Sequence, residues 1–142
     1  MALVSPAAGA PGPYDPDMTS RAPRVLIVED DPSMRELVRA TLEINGFEVA
    51  GAAPDGASGV RCFDELDPAP AAVVLDERMP QMTGVETAQQ ILARRPNQVI
   101  VLFSAALDAD VVARALNVGI LQCVDKLEVA RLPAVLRVLL GE

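Results

Sequence analysis

Five short apolar runs punctuate the chain from Arg24 onward, each bounded by turn residues: RVLIV (24–28), FEVAGAA (47–53), AAVVL (71–75), QVIVLF (98–103) and ILQCV (120–124). Each is too short for a helix and too uniformly apolar for a strand with one wet face, so the pattern predicts buried parallel strands. Between the runs the spacing of apolar positions becomes helical. In the first gap Met34, Leu37, Val38, Thr41 and Ile44 recur at helical intervals, with Asp31-Pro32 as N-cap and first-turn proline and Asn45-Gly46 as the stop. Further helices are expected at about 56–67, 84–95, 108–118 and 130–140. Thr83 and Glu86 have the spacing of a capping box at the third. Pro133 fits the last if that helix begins near Val129, because a first-turn proline lacks an N–H that is not needed there.

Strands alternating with helices make a βαβ series, and hence a parallel sheet with helices on both faces. The expected fold class is α/β, a flavodoxin-like (βα)5 doubly wound five-stranded sheet of order 2-1-3-4-5. In that order strands 1 and 3 are neighbours at the topological switch point, where ligands bind beyond the carboxyl ends of the strands. Residues 1–22 carry four prolines and two glycines without apolar periodicity. They read as a disordered lead-in, with either Met1 or Met18 as the start, to one domain over residues 23–142.

Composition narrows the chemistry. The net charge of −8 and the scattered arginines argue against a nucleic-acid surface, and 3% aromatics against a base-stacking platform. The sequence contains no histidine, which excludes Ser-His or Cys-His catalysis, His-ligated zinc and a phosphohistidine on this chain. Cys62 and Cys123 lack metal-ligand spacing and read as small apolar residues in a reducing compartment. No apolar run is long enough to span a membrane, and no Lys or Arg precedes Arg21 as an export signal requires. The reading is cytoplasmic.

The predicted strand ends collect polar residues. Strand 1 runs into Glu29, Asp30 and Asp31, strand 3 into Asp76, strand 4 into Ser104, and strand 5 into Asp125 and Lys126. In the expected order Glu29, Asp30 and Asp76 crowd together, which is costly without a cation between them. A hard divalent ion such as Mg²⁺ suits a few carboxylates, a backbone carbonyl and a phosphate. Lys126 is the only lysine beside eleven arginines. That choice suggests a need for a compact ammonium, as in contacting a phosphoryl oxygen. Singly, each residue has a plainer reading as a cap, a turn residue, a strand-end hydroxyl or a solvated charge. Their joint occurrence at four of five strand ends is what points to a site.

The series VLIVEDD, VVLDERMPQMTG, VLFSA and VDK resembles the receiver domain of bacterial two-component response regulators, over nearly all of residues 24–140. The resemblance implies that Asp76 accepts a phosphoryl group from a sensor histidine kinase or phosphotransfer protein. Glu29, Asp30, Asp76 and the backbone carbonyl of Arg78 would hold Mg²⁺ (or Mn²⁺), while Ser104 and Lys126 would contact phosphoryl oxygens. Asp31 would be the helix cap, and Glu77 would take no part in the chemistry. Arg78 and Ala105 occupy positions that influence water access to the acyl phosphate. A homodimer through the face of the fourth and fifth helices is implied by the resemblance alone, and the chain itself would be a phosphoacceptor rather than an enzyme.

Two departures from the family pattern bear on the switch. Cys123 stands where Tyr or Phe usually reports by rotating, so a changed readout is expected. Leu127 replaces the usual cis proline after the lysine, and a trans bond is expected there, since a cis one would cost roughly 3 kcal/mol. The alternative is a pseudo-receiver, the same fold used for protein binding without phosphorylation. An aspartyl phosphohydrolase of the haloacid dehalogenase type would place a second Asp where Arg78 stands. No output segment follows the fifth helix, so signalling is expected through a partner, a dimer or a further part of the gene.

Overall fold

Four consecutive residues, Val25 to Val28, are each at most 1% exposed, as in a strand covered on both faces. In the computed structural model, which describes residues 22–142, that strand is β1 (Arg24–Val28). Four more follow: β2 (Glu48–Ala53), β3 (Ala72–Leu75), β4 (Val99–Ser104) and β5 (Gln122–Asp125). The helices are α1 (Pro32–Ile44), α2 (Gly56–Glu65), α3 (Gly84–Arg94), α4 (Ala109–Val118) and α5 (Leu132–Leu139). All strand pairs are parallel, as the alternating pattern predicts, in the order β2-β1-β3-β4-β5 expected of the flavodoxin-like fold. The lead-in expected over 1–22, with the candidate start Met18, falls outside the described residues but for its last position.

Successive strand residues point to opposite faces, and the helices divide accordingly. Leu26, Val28, Val73, Leu75, Ile100 and Leu102 pack with side chains of α2, α3 and α4. Val25, Ile27, Val74, Val101 and Phe103 pack with Val38 and Leu42 of α1 and with Leu132, Val135 and Leu136 of α5. Each fully buried side chain of this size contributes about 1.5–3 kcal/mol, so two full layers hold the central strands rigidly. The loops at their carboxyl ends therefore start from fixed points.

The structure corrects several expectations. Only β1, β3 and β4 are buried as read. The strands β2 and β5 lie at the sheet edges and are mostly half-exposed, because one side of each has no neighbouring strand. In α1 the inward stripe is Met34, Val38 and Leu42, while Leu37 is 45% and Ile44 84% exposed. The predicted stripe had the right period but was rotated toward solvent. The run at 120–124 gives a strand starting two residues late, because Gly119 in the left-handed region (φ 112°) caps α4 and the Ile120 N–H completes that cap on the Ala115 carbonyl. The last helix begins at Leu132 rather than near Val129, after a 3-10 segment over Lys126–Arg131, and Pro133 does lie in its first turn.

Local capping signals are met. Asp31, Asp55 and Asp108 accept N–H groups at the starts of α1, α2 and α4. Thr83 Oγ1 accepts the Glu86 N–H at 3.1 Å while Glu86 Oε1 accepts the Thr83 N–H at 2.9 Å, the full capping box. Thr83→Ala is expected to lower stability by about 1 kcal/mol. Urea unfolding checks this, and an unchanged midpoint would contradict it. The Lys126–Leu127 peptide is trans, Asp67–Pro68 being the only cis bond among the described residues. No helix among them is long and apolar enough to cross a membrane.

Candidate functional site

Where β1 and β3 end side by side, the backbone ladder runs one step further. The Asp76 N–H donates to the Val28 carbonyl at 3.1 Å, and the Glu29 N–H donates to the Ala53 carbonyl at 2.9 Å. Both carboxylates thus leave the sheet from fixed backbone at the switch point. Asp76 is 4% and Glu29 2% exposed, whereas Asp30 faces solvent. One oxygen from each of the three lies within 4.8 Å of the others.

Lys126 reaches this cluster from the far edge. The pairing of Ser104 with Asp125 places it just past the ends of β4 and β5. Its Nζ donates to Asp76 Oδ2 at 2.9 Å. It also lies 2.9 Å from Glu29 Oε1, an ion pair off the direction of a hydrogen bond, so this buried oxygen has no aligned donor. Burial pushes the pKa of Glu29 up and repulsion from Asp76 adds to it, against the lowering effect of Lys126 and of the Asp31 N–H. Burial works against the Lys126 ammonium, but its contacts with Glu29 and Asp76 outweigh burial and hold its pKa above the usual lysine value. One cation is therefore shared by two buried carboxylates, with a third carboxylate beside them.

The Glu29 oxygen without an aligned hydrogen-bond donor, and the hard oxygen donors around it, fit a divalent cation of the Mg²⁺ class. Arg78 contributes its N–H to Asp76 Oδ1 at 3.3 Å, and its side chain is exposed without an ion-pair partner among the described residues. Ser104 is fully buried, and its Oγ accepts the Ala106 N–H at 3.2 Å. Ala105 is exposed at the same strand end. Cys123 lies further back, half-buried against the core shared with α3 and α4. Burial pushes its thiol pKa up, with the Glu77 charge adding to the effect. Among the residues singled out in the sequence, Glu29, Asp30, Asp76 and Lys126 thus meet in one cluster, with Arg78 and Ser104 at its rim. Cys123 is outside it.

Two residues escaped sequence reasoning. Arg35, in the first turn of α1, donates from Nη1 to the Glu29 carbonyl at 2.7 Å and so braces the acidic loop from the helix side. Its signal was only a cation one turn into a helix that follows an acidic run. Glu77, expected to take no part in the chemistry, is 5% exposed and bonded to the start of α3. Its signal was a charge at the very end of an apolar run. A cleft of about 420 Å³ opens beside the cluster, lined by Asp30, Glu77, Arg78, Thr83, Ala106 and Asp108 among others.

Comparison with known proteins agrees with this geometry. Residues 25–137 match the response regulator receiver domain family. A protein-glutamate methylesterase/protein-glutamine glutaminase of Anaeromyxobacter dehalogenans is 42% identical over 109 residues, which are 76% of this chain but 30% of that relative. The chemotaxis protein CheY of Thermotoga maritima is 35% identical over 96 residues, 68% of this chain and 78% of CheY. The solved signal receiver domain of the putative response regulator NarL from Mycobacterium tuberculosis superposes with a TM-score of 0.73 at 28% identity, covering 85% of this chain and 98% of that one. With the sheet order, the acidic cluster and these matches in agreement, the chain belongs to the family of response regulator receiver domains.

Proposed function

We propose that Asp76 accepts a phosphoryl group from a phosphohistidine on a partner kinase or phosphotransfer protein, and that the acyl phosphate changes which partner the domain binds. The observation that carries this reading is the Asp76 carboxylate at the switch point, 4% exposed and bonded through Oδ2 to Lys126 while Glu29 and Asp30 lie against it. In the transfer, an Asp76 oxygen attacks phosphorus and the phosphorus–nitrogen bond breaks, its electron pair staying with the departing imidazole. Such a step depends mainly on positioning and on neutralising charge at the equatorial oxygens.

The residues divide that work. Glu29, Asp30, the Asp76 carboxylate and the Arg78 carbonyl would hold Mg²⁺, which supplies positive charge against the phosphoryl oxygens. Lys126 supplies the second positive charge, and must exchange one of its carboxylate contacts for a phosphoryl oxygen. Ser104 must release the Ala106 N–H or turn its hydroxyl to donate to the phosphoryl group. Each exchange moves the end of β4 or β5 toward Asp76, and the acyl phosphate adds about two negative charges to draw them. Arg78 and Ala105, both exposed, would influence water access to the acyl phosphate.

The same reading takes the chain as a phosphoacceptor rather than an enzyme acting on other molecules, working in the cytoplasm with no nucleic acid of its own to bind. A homodimer through the face of α4, β5 and α5 belongs to it on resemblance. Incubation with acetyl phosphate followed by intact-mass measurement tests the core of the proposal. One phosphoryl adduct per chain is expected with Mg²⁺ and none after chelation. A chain that never gains the adduct would be read as a pseudo-receiver.

A further inference from the structure

Glu77 follows the proposed acceptor, and nothing in the transfer chemistry uses it. A carboxylate is kept from water only where partners compensate it. Those of Glu77 lie at the start of α3. Its Oε1 accepts the Val85 N–H at 2.9 Å, and its backbone carbonyl accepts the Gly84 N–H at 3.0 Å. A helix start leaves such N–H groups unpaired and favours negative charge beside them. Residue 77 thus fills with two atoms what a local cap fills with one, and Thr83 serves the third N–H, that of Glu86.

These bonds close a loop. The chain leaves the sheet at Glu77, runs through residues 78–83 and returns to the same residue at Gly84 and Val85. Within the loop Gln81 takes a positive φ of 71°, a conformation that costs a non-glycine residue energy and persists only where its surroundings hold it. Arg78 is the loop's first residue. Its N–H holds Asp76 Oδ1 at 3.3 Å, and its carbonyl is the backbone ligand of the proposed cation site. Anything that fixes the base of the loop also fixes that carbonyl.

We infer that Glu77 is a positioning residue of the cation site, clamping the 78–83 loop against the acceptor strand so that the Arg78 carbonyl and the Asp76 carboxylate face the same point. The inference rests on the acceptor reading above. Groups that orient metal ligands in this way typically carry about 10–100-fold in affinity.

The test compares Glu77→Gln, which keeps an oxygen acceptor for the Val85 N–H, with Glu77→Ala, which removes it. Mg²⁺ affinity is measured on the full chain by calorimetric titration, beside urea unfolding without metal and acetyl phosphate labelling over a Mg²⁺ series. Glu77→Ala is expected to bind Mg²⁺ about tenfold more weakly, with the half-maximal Mg²⁺ for labelling raised by the same factor and the saturated rate changed less. Glu77→Gln is expected to stay close to wild type. If Glu77→Ala loses stability yet keeps wild-type Mg²⁺ affinity, the residue is only a helix cap and the inference is overturned. Should the alanine variant not fold, Glu77→Asp takes its place, since the shorter arm falls short of Val85, and wild-type affinity in that variant overturns the inference equally. A wild-type chain that neither binds Mg²⁺ nor gains a phosphoryl group overturns the acceptor reading itself, a result distinct from loss confined to the residue 77 variants.

Discussion

Asp76→Asn is expected to abolish the phosphoryl adduct and to weaken Mg²⁺ binding by about tenfold or more, while the protein stays folded. The amide keeps the size of the carboxylate, so its oxygen can still accept the Arg78 N–H, and Lys126 retains Glu29 as a partner 2.9 Å away. Three carboxylates and one lysine become two carboxylates and one lysine, which eases the crowding of like charge that burial makes expensive. What is lost is chemical. An amide oxygen is a poor nucleophile toward phosphorus and a neutral, weaker ligand for a hard cation. Two measurements separate these losses. Intact mass after acetyl phosphate reads the nucleophile, and the gain in thermal stability on adding Mg²⁺ reads the ligand. A cation at a hundred times its Kd stabilises the fold by about 2.7 kcal/mol, and tenfold weaker binding removes about 1.4 kcal/mol of that. An adduct persisting at wild-type yield on Asp76→Asn would show that the phosphoryl group goes elsewhere, and would sink the assignment of Asp76. Ser104, the hydroxyl residue at the end of β4, is fully buried and cannot stand in without moving.

What could be read from the sequence was set by how local each signal is. The caps at Asp31 and Thr83 involve residues two or three apart, and the structure forms both. The buried parallel strands followed from the length and apolar content of the runs, whereas the strand order was taken from the flavodoxin-like fold; that order brings Glu29, Asp30 and Asp76 within reach of one another. Phase within an element is harder to read. Leu37 and Leu42 are chemically alike, and only the layer packed against α1 decides that Leu42 is buried and Leu37 is not. Lys126 could be read as a cation meant for the site. Its present attachment to both Asp76 and Glu29 depends on a β4–β5 register that no sequence pattern states. The burial of Glu77 was not legible for the same reason, since its partner Val85 lies eight residues away across a loop whose path the sequence does not specify.

Cys123 shows how site and readout come apart. The residue packs against the core at the back of β4 and β5, and its half-buried thiol has neither the size nor the reach of a rotating aromatic ring. Under the proposed acceptor reading, a response to phosphorylation would therefore travel through backbone that the reacting groups already hold. The candidates are the Ser104–Ala106 turn, the Lys126 end of β5, and the loop that Glu77 closes. The cleft beside Asp30 and Arg78, which Glu77 and Ala106 also line, leaves room for movement there.

The start of α3 is also where a single methyl group is expected to do most harm to stability. Gly84 is seated so tightly that a Cβ there would collide with the Asp76 carbonyl oxygen and lie 2.8 Å from Leu75 Cδ1 and 2.9 Å from the Asp76 carbonyl carbon. Backbone atoms of a central strand cannot yield as the tip of a flexible side chain can. Gly84→Ala must push α3 off β3, and overpacking of this kind costs about 1–3 kcal/mol, more when backbone has to move. Intrinsic helix propensity pulls the other way, by up to about 1 kcal/mol in favour of alanine. The collision outweighs that gain, so a net loss of about 2 kcal/mol is expected. Because the backbone atoms in collision belong to Asp76, the damage should not stop at stability. Displacing its carbonyl also shifts the Gly84 N–H that closes the 78–83 loop on Glu77. The variant should therefore label more slowly with acetyl phosphate even where urea titration shows it fully folded. A Gly84→Ala protein with the wild-type urea midpoint and labelling rate would mean that α3 does not rest on the acceptor strand, and the coupling between that helix and Asp76 would have to be abandoned.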